Sequence, residues 1–307
     1  MPDWNAVIIG GGPAGLTAGL SLCRGNWRTL LLEKETVGGY IMNVEYIENY
    51  PGFPEGVVGS QLGMDMKNQA LKYGLKTERN EVLALEDSPG YKKVFCSDGN
   101  TYTTSAVIIA GGSVPKRLGV PGEDELGGRG VISCAFCDGG QFNGKVVAVC
   151  GGGDAGLTGA LYLAKIASKV ILIEAMPELT ATAVLRDRVK ENPKIEVHCG
   201  TTATAIVGAS QVENIEFVEA GSRQKGSLKV DGVLVHVGLE PITDYLEGVV
   251  PLDELLQVIV NEWMETKVPG IFAAGDIRSK SPCQVSTAVG DGAAAGIPAQ
   301  KFLQKLK

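Results

Sequence analysis

Cys134-Ala135-Phe136-Cys137 pairs two thiols at a spacing that lets them alternate between a disulfide and a dithiol, and Asp138 follows at once. The pair sits between two glycine-rich turns, Gly10-Gly11-Gly12-Pro13-Ala14-Gly15 and Gly151-Gly152-Gly153-Asp154-Ala155-Gly156. Turns of this type let backbone amides approach a pyrophosphate at the start of a helix. Two dinucleotide sites flanking a dithiol describe a path for electrons: donor, flavin, disulfide, protein substrate. Alone, the cysteine pair also suits two buried thiols or half of a metal site. The ordered combination is far more specific than either motif by itself.

Each turn needs a strand before it and a helix after it. Asn5 to Ile9 reads as a short buried strand and Leu16 to Arg24 as the following helix. Thr29 to Leu32 is the next strand, ending at Glu33, where an acid would accept the ribose hydroxyls of an adenosine. The order recurs about 140 residues later: strand Val146 to Cys150, helix Leu157 to Ile166, strand Val170 to Ile173, then Glu174. This internal duplication implies two similar βαβ domains. Val94 to Phe95, Tyr102 to Thr104, Val107 to Ile109, Glu213 to Val218 and Gly232 to Val237 read as further strands. Ile271-Phe272-Ala273-Ala274-Gly275-Asp276 reads as a strand ending in an acid. Gly111 to Pro115 and Gly238 to Pro241 read as linkers. The expected fold class is α/β, with two Rossmann-like three-layer dinucleotide-binding domains, the second inserted in the first. Residues 1–113 and 242–307 would form the first, and residues 114–241 the second, carrying the CxxC. Two linkers would form a hinge about which the domains rotate.

Composition removes several classes. The net charge is −7 and no Lys/Arg block occurs, so nucleic acid is not an expected partner. Residues 4–23 carry no charge, but three adjacent glycines and Pro13 argue against a spanning helix, and no basic segment precedes them. A cytoplasmic protein without a membrane span is expected. Seven cysteines at scattered spacings do not form a secreted disulfide framework, so five are expected to be buried thiols. No metal site is expected, because His198 and His236 do not cluster with the one close cysteine pair in the sequence.

Across nearly its whole length the chain resembles low-molecular-weight thioredoxin reductases. The matching strings are Gly10 to Gly15, Glu48-Asn49-Tyr50-Pro51-Gly52-Phe53, Cys134 to Gly139, Gly151 to Asp154, Ala274-Gly275-Asp276, and QVSTAVGDG from Gln284 to Gly292. The resemblance implies an FAD-dependent homodimer that reduces a thioredoxin-like protein. It implies that Gly10, Gly12 and Gly15, with Pro13 and Ala14, receive the FAD pyrophosphate and that Glu33 holds ribose. It assigns Lys34, Gly39, Asn43, Val82, Ala110, Gly111 and Gly275 to the cofactor's surroundings. Asn49 would contact the flavin region, Asp276 the ribityl or phosphate portion, and Gln284, Val285 and Ala288 the ring. Tyr40 stands where the family commonly has Gln; it either packs near the ring or lies on the surface. By the same resemblance Cys137 lies next to the flavin, Cys134 attacks the thioredoxin disulfide, and Asp138 is the general acid. A CxxC at a helix start would lower a thiol pKa through amides and the helix dipole.

The second nucleotide site, Gly151, Gly153, Asp154, Ala155 and Glu174, departs from the family. NADPH-using members carry a cationic run after the second strand; here the residues are Glu174, Ala175, Met176 and Thr180. Two like charges about 4 Å apart repel by about 4 kcal/mol at an effective dielectric of about 20, before solvent screening. Glu174 therefore disfavours a ribose phosphate and points to NADH over NADPH. Thr158 and Gly159 stand where the family has two acids near the nicotinamide, and Cys283 stands where it has Arg. The nicotinamide donor stays open, with a ferredoxin-type protein as the other donor and a ferredoxin-dependent flavin thioredoxin reductase as the matching alternative. A small-molecule dithiol oxidase is the rival enzyme; Asp138, where such oxidases tend to have His, favours the reductase.

Overall fold

The computed structural model describes residues 2–306; Met1 and Lys307, assigned by sequence to the first domain, lie outside the described residues. The chain divides into two units. One takes the described residues up to Val114 and from Glu240 onward, the other Pro115–Leu239.

The first unit is built on a seven-stranded sheet. Its strands run Lys76–Arg79, Thr29–Glu33, Trp4–Ile9, Thr101–Ile109, Tyr91–Cys96 and Val82–Ser88, and Ile271–Ala273 also pairs with Thr101–Ile109. The central pairs are parallel, with Ile8 opposite Leu31 and Ile108. Residues of successive parity face opposite ways. Ala6, Ile8, Leu31 and Ile108 pack on helices Pro13–Arg24 and Val285–Lys305 through Leu16, Leu22 and Ala295. Val7, Ile9, Leu30 and Ile109 pack on Leu85, Val94, Leu246 and Val258. Burial on both faces explains the apolar runs at 6–9, 30–32 and 106–109 within these strands.

The second unit repeats the plan. A five-stranded parallel sheet runs Ile195–Cys199, Lys169–Glu174, Val146–Cys150, Gly232–Val235, Val131–Ile132. Val147, Val149 and Leu172 face helix Asp154–Ile166, whereas Ala148, Cys150, Ile171 and Ile173 face an antiparallel sheet of Thr201–Val207, Asn214–Glu219 and Lys225–Lys229. Each unit is thus a three-layer α/β structure.

Several elements differ from the sequence reading. The two strands expected at 102–104 and 107–109 are one, Thr101–Ile109. Its first half pairs antiparallel with Tyr91–Cys96 and its second half pairs parallel with Ile271–Ala273. The polar break between them is absorbed because Thr104 is buried and donates its hydroxyl to the Ala106 carbonyl at 2.9 Å. Within the expected linkers, Ser113–Pro115 and Leu239–Pro241 are short strands that pair with each other. Strand 232–237 ends at Val235. Among the described residues, no helix is long and apolar enough to cross a membrane.

Candidate active site

The first cradle lies where strand Trp4–Ile9 turns into helix Pro13–Arg24. Gly10 has a φ of +106°, and a Cβ there would stand 2.2 Å from the Ala110 carbonyl oxygen; a Cβ on Gly15 would stand 2.0 Å from that of Gly10. The fold itself demands those two glycines. Gly12 is different. Its φ is −76°, and a Cβ would meet nothing nearer than the Gly39 Cα at 3.9 Å. The room at Gly12 is therefore room for a ligand at a helix start, where first-turn amides lack intrahelical acceptors.

The other first-unit residues gather around this turn. A Cβ on Gly39 would strike the Gly12 Cα at 2.6 Å, which sets the 3-10 turn carrying Tyr40 and Asn43 against the cradle. Tyr40 is exposed on that turn. Glu33 accepts from the Gly11 N–H at 2.7 Å and from the Glu35 N–H at 2.9 Å, so its carboxylate braces the loop, and each oxygen keeps a second lone pair. Asn49 donates to the Gln284 side chain at 2.8 Å across 235 residues of sequence. Gln284 caps helix Val285–Lys305 in a reciprocal capping box with Thr287. Gly275 fits between Ala14 and Ala288, whose Cβ atoms would lie 2.9 and 3.8 Å from a Cβ there. The Lys34 carbonyl accepts from Arg79 Nε at 3.3 Å, and Val82 opens the strand Val82–Ser88.

Asp276 lies just past strand Ile271–Ala273, with Oδ1 buried and without a protein partner. Burial pushes its pKa up and the nearby Asp291 adds to this, while a bond from Ser281 and the Arg278 charge oppose it. Beneath it, Asp291 accepts from Arg278 Nε at 2.6 Å and Nη2 at 3.0 Å, and from the Gly275 N–H at 3.1 Å. This pair fixes the Gly275–Asp276 turn. A buried carboxylate with one oxygen lacking a donor, together with the open cradle at Gly12, fits a pyrophosphate carrying hydroxylated sugars, as in FAD.

The second cradle has the same construction. Gly151 has a φ of +118° with a Cβ position 2.0 Å from the His236 carbonyl oxygen; that of Gly156 is 1.9 Å from the Gly151 oxygen, and that of Gly153 meets only Thr180 Oγ1 at 3.8 Å. Glu174 is only 8% exposed and accepts from the Gly152 N–H and, at 2.7 Å, from the Met176 N–H. Asp154 accepts from the Thr182 N–H at 2.7 Å, and Ala155 is exposed. The Cβ position of Gly159 is 2.5 Å from Leu234 Cδ2, so an acid there would displace a fully buried leucine.

Cys134 and Cys137 form a disulfide. Cys134 is the N-cap of Ala135–Asp138, and the Cys137 N–H lies 3.0 Å from its sulfur. The expected helix start is thus a single turn; the macrodipole argument gives way to one aimed amide, because few peptide dipoles align there. Cys137 and Asp138 are exposed, and Phe136 packs edge-on against Tyr162 at 5.7 Å.

The structure adds one contact that the sequence did not show and corrects one expectation. His236, distant from the cysteine pair in sequence, is bonded through Nε2 to the carbonyl of Ser133 at 2.9 Å, next to Cys134. The parallel register causes this: Val233 opposes Val131 and Leu234 opposes Ile132, which brings the two strand ends together. Of the five other thiols, only Cys23, Cys96 and Cys150 are buried; Cys199 and Cys283 are half-buried, Cys199 at the end of the edge strand Ile195–Cys199 and Cys283 in the segment before helix Val285–Lys305. Sequence reasoning also missed Tyr245, whose hydroxyl is buried without a partner. No motif marks it, and a tyrosine in a turn carries no signal in one sequence. Among the described residues, no cluster of His, Cys, Asp and Glu could hold a metal ion.

Comparison with known proteins agrees with this geometry. A family profile described as pyridine nucleotide-disulphide oxidoreductase matches residues 4–292. The chain is 39% identical over 305 residues to a thioredoxin reductase of Bacillus subtilis (strain 168), covering 99% of this chain and 96% of that one. It is similar to the crystal structure of Lactococcus lactis thioredoxin reductase, with a TM-score of 0.96, 35% identity, and coverage of 99% and 100% of the two chains. It also resembles the T. acidophilum thioredoxin reductase structure, with a TM-score of 0.93, 32% identity, and coverage of 98% and 99%. The chain belongs to the thioredoxin reductase family of pyridine nucleotide-disulphide oxidoreductases.

Proposed function

We propose that this FAD-dependent thioredoxin-disulfide reductase takes its electrons from a donor other than NADPH, and that Cys134, Cys137 and Asp138 carry the disulfide chemistry. Bound FAD supplies a two-electron relay between the donor and the Cys134–Cys137 disulfide. Two electrons and two protons convert that disulfide to thiols. The Cys134 thiolate then attacks one sulfur of the thioredoxin disulfide, and Asp138 protonates the sulfur that leaves. The Cys137 thiolate attacks Cys134 in the mixed disulfide, restores the internal disulfide and releases reduced thioredoxin. The observation that carries the role of Cys134 is the Cys137 N–H on its sulfur, since an amide donor favours a thiolate at that atom.

The donor reading is supported by the second cradle. Glu174, Ala175, Met176 and Thr180 include no cation for a ribose phosphate. Both Glu174 oxygens already accept loop amides, so NADH binding would have to use their remaining lone pairs. Leu234 stands against Gly159 where an acid beside the nicotinamide would be. The second donor reading, a ferredoxin-type protein delivering electrons at the flavin edge, is favoured by that same packing. The deciding experiment is anaerobic reduction of the flavin by NADPH, NADH and reduced ferredoxin in parallel. Rapid, saturable bleaching by micromolar NADPH refutes the donor reading. A homodimer joined through the FAD-binding units and a cytoplasmic location belong to the same proposal; light scattering of the purified protein and cell fractionation test them.

A further inference from the structure

Among the described residues, two buried side-chain oxygens of the first unit have no hydrogen-bond partner: Asp276 Oδ1 and the Tyr245 hydroxyl. They share a location. Asp276 follows the strand Ile271–Ala273. Tyr245 sits in the turn Asp244–Leu246, and its ring packs with the cluster containing Ile9, Ile109, Ala273 and Ile277, at the carboxyl ends of the parallel strands. Its hydroxyl is 3.4 Å from the point a Gly111 Cβ would occupy, and Ile277 Cδ1 is 3.4 Å from the same point. Gly111 adjoins Ala110, whose carbonyl a Cβ on Gly10 would strike, so this phenol reaches the same sheet edge as the first cradle. In open α/β sheets that edge is where ligands bind.

A phenylalanine would fill the same apolar cluster and leave no polar atom stranded. A buried hydroxyl without an acceptor is unfavourable, so its presence calls for one. Burial also holds the phenol's pKa well above its ordinary value, so it remains a neutral donor at physiological pH. The glycine at 111 leaves its approach free of a side chain.

We propose that the Tyr245 hydroxyl donates a hydrogen bond to an oxygen of the bound FAD beside Gly111, a contact that none of the recognised sequence motifs contains. The proposal rests on the FAD reading and adds a residue to it.

The test is Tyr245→Phe in the full-length flavoprotein. Two quantities are read: the FAD dissociation constant, from released flavin fluorescence on dilution into known free FAD, and thermal unfolding by circular dichroism across the same FAD series. The expected result is FAD binding weaker by about 5-fold, the ordinary size of one lost hydrogen bond. Extrapolated to no free FAD, the variant should be at least as stable as the parent, because the phenol has no protein partner to lose. An unchanged dissociation constant overturns the proposal. So does an equal loss of stability at every FAD concentration, which would show that the hydroxyl is satisfied within the protein or by a trapped water. A parent protein that purifies without flavin would instead refute the FAD reading itself.

Discussion

Gly12 and Gly15 belong to one motif, yet the structure gives them opposite reasons to be glycine, and alanine substitution separates them. At Gly15 the new Cβ would lie 2.0 Å from the Gly10 carbonyl oxygen, well inside contact distance and against backbone. Helix Pro13–Arg24 would have to shift off the strand, so Gly15→Ala should cost several kcal/mol, beyond the ~1–3 kcal/mol typical of an overpacked core. At Gly12 the nearest atom to the new Cβ is 3.9 Å away and φ is already negative. Two small terms compete. Reduced freedom of the unfolded chain favours Gly12→Ala by about 0.4–1 kcal/mol, and the poorer N-cap opposes it by roughly as much. The fold should therefore hold within about 1 kcal/mol. Binding should not hold: a methyl group facing a pyrophosphate seated on this turn is an overpacking of ~1–3 kcal/mol, or roughly 5- to 150-fold in FAD affinity. The assay pairs flavin absorbance per chain with thermal unfolding by circular dichroism. Gly12→Ala should be folded and flavin-poor, and Gly15→Ala poorly folded. Gly153→Ala, with the equivalent open geometry in the second cradle, should be folded and fully yellow. Full flavin content in Gly12→Ala would place the cofactor elsewhere. Global unfolding of that variant would show that the glycine serves the fold.

Cys134→Ser and Cys137→Ser should each retain FAD and abolish disulfide reduction, and Cys137→Ser should leave Cys134 able to trap thioredoxin as a mixed disulfide visible by non-reducing electrophoresis; undiminished turnover in either would remove the cysteine pair from the reaction. Asp276→Ala should weaken FAD by about 10- to 150-fold, the range for a hydrogen bond of ~1.5–3 kcal/mol to a charged group, read by equilibrium dialysis. Because Asp276 has a raised pKa in the folded chain, its buried charge penalises stability at neutral pH, and the penalty fades as pH falls through that raised value; the gap in unfolding temperature between parent and Asp276→Asn should narrow in acid, and a gap that widens would contradict the assignment. Burial raises the Cys150 thiol to about 12, so at pH 8 only about one molecule in ten thousand carries the thiolate. Iodoacetamide at that pH should spare Cys150 and, after reduction, modify Cys134 and Cys137, as peptide mass spectrometry would reveal; rapid Cys150 labelling would mean that the second sheet opens in solution.

The sequence by itself determined the local chemistry. Both glycine turns, the dithiol between them and the acids ending the second strands are contiguous patterns, and each encodes geometry within a few residues. The duplication carried the fold class, because the same strand, turn, helix and strand can be read twice. Buried parallel strands such as Val146–Cys150 announce themselves as apolar runs, since both of their faces are covered. Exposed, polar strands such as Lys225–Lys229 do not, because pairing with Asn214–Glu219 rather than apolar burial makes them strands. Only the tertiary structure showed why the fold requires Gly10 and Gly151, for the atoms that a Cβ would strike there come from Ala110 and His236, far along the chain. It alone set His236 against Ser133, through a strand register that no motif records. It alone stranded Asp276 Oδ1 and the Tyr245 hydroxyl, because whether a polar atom has a partner depends on what folds around it.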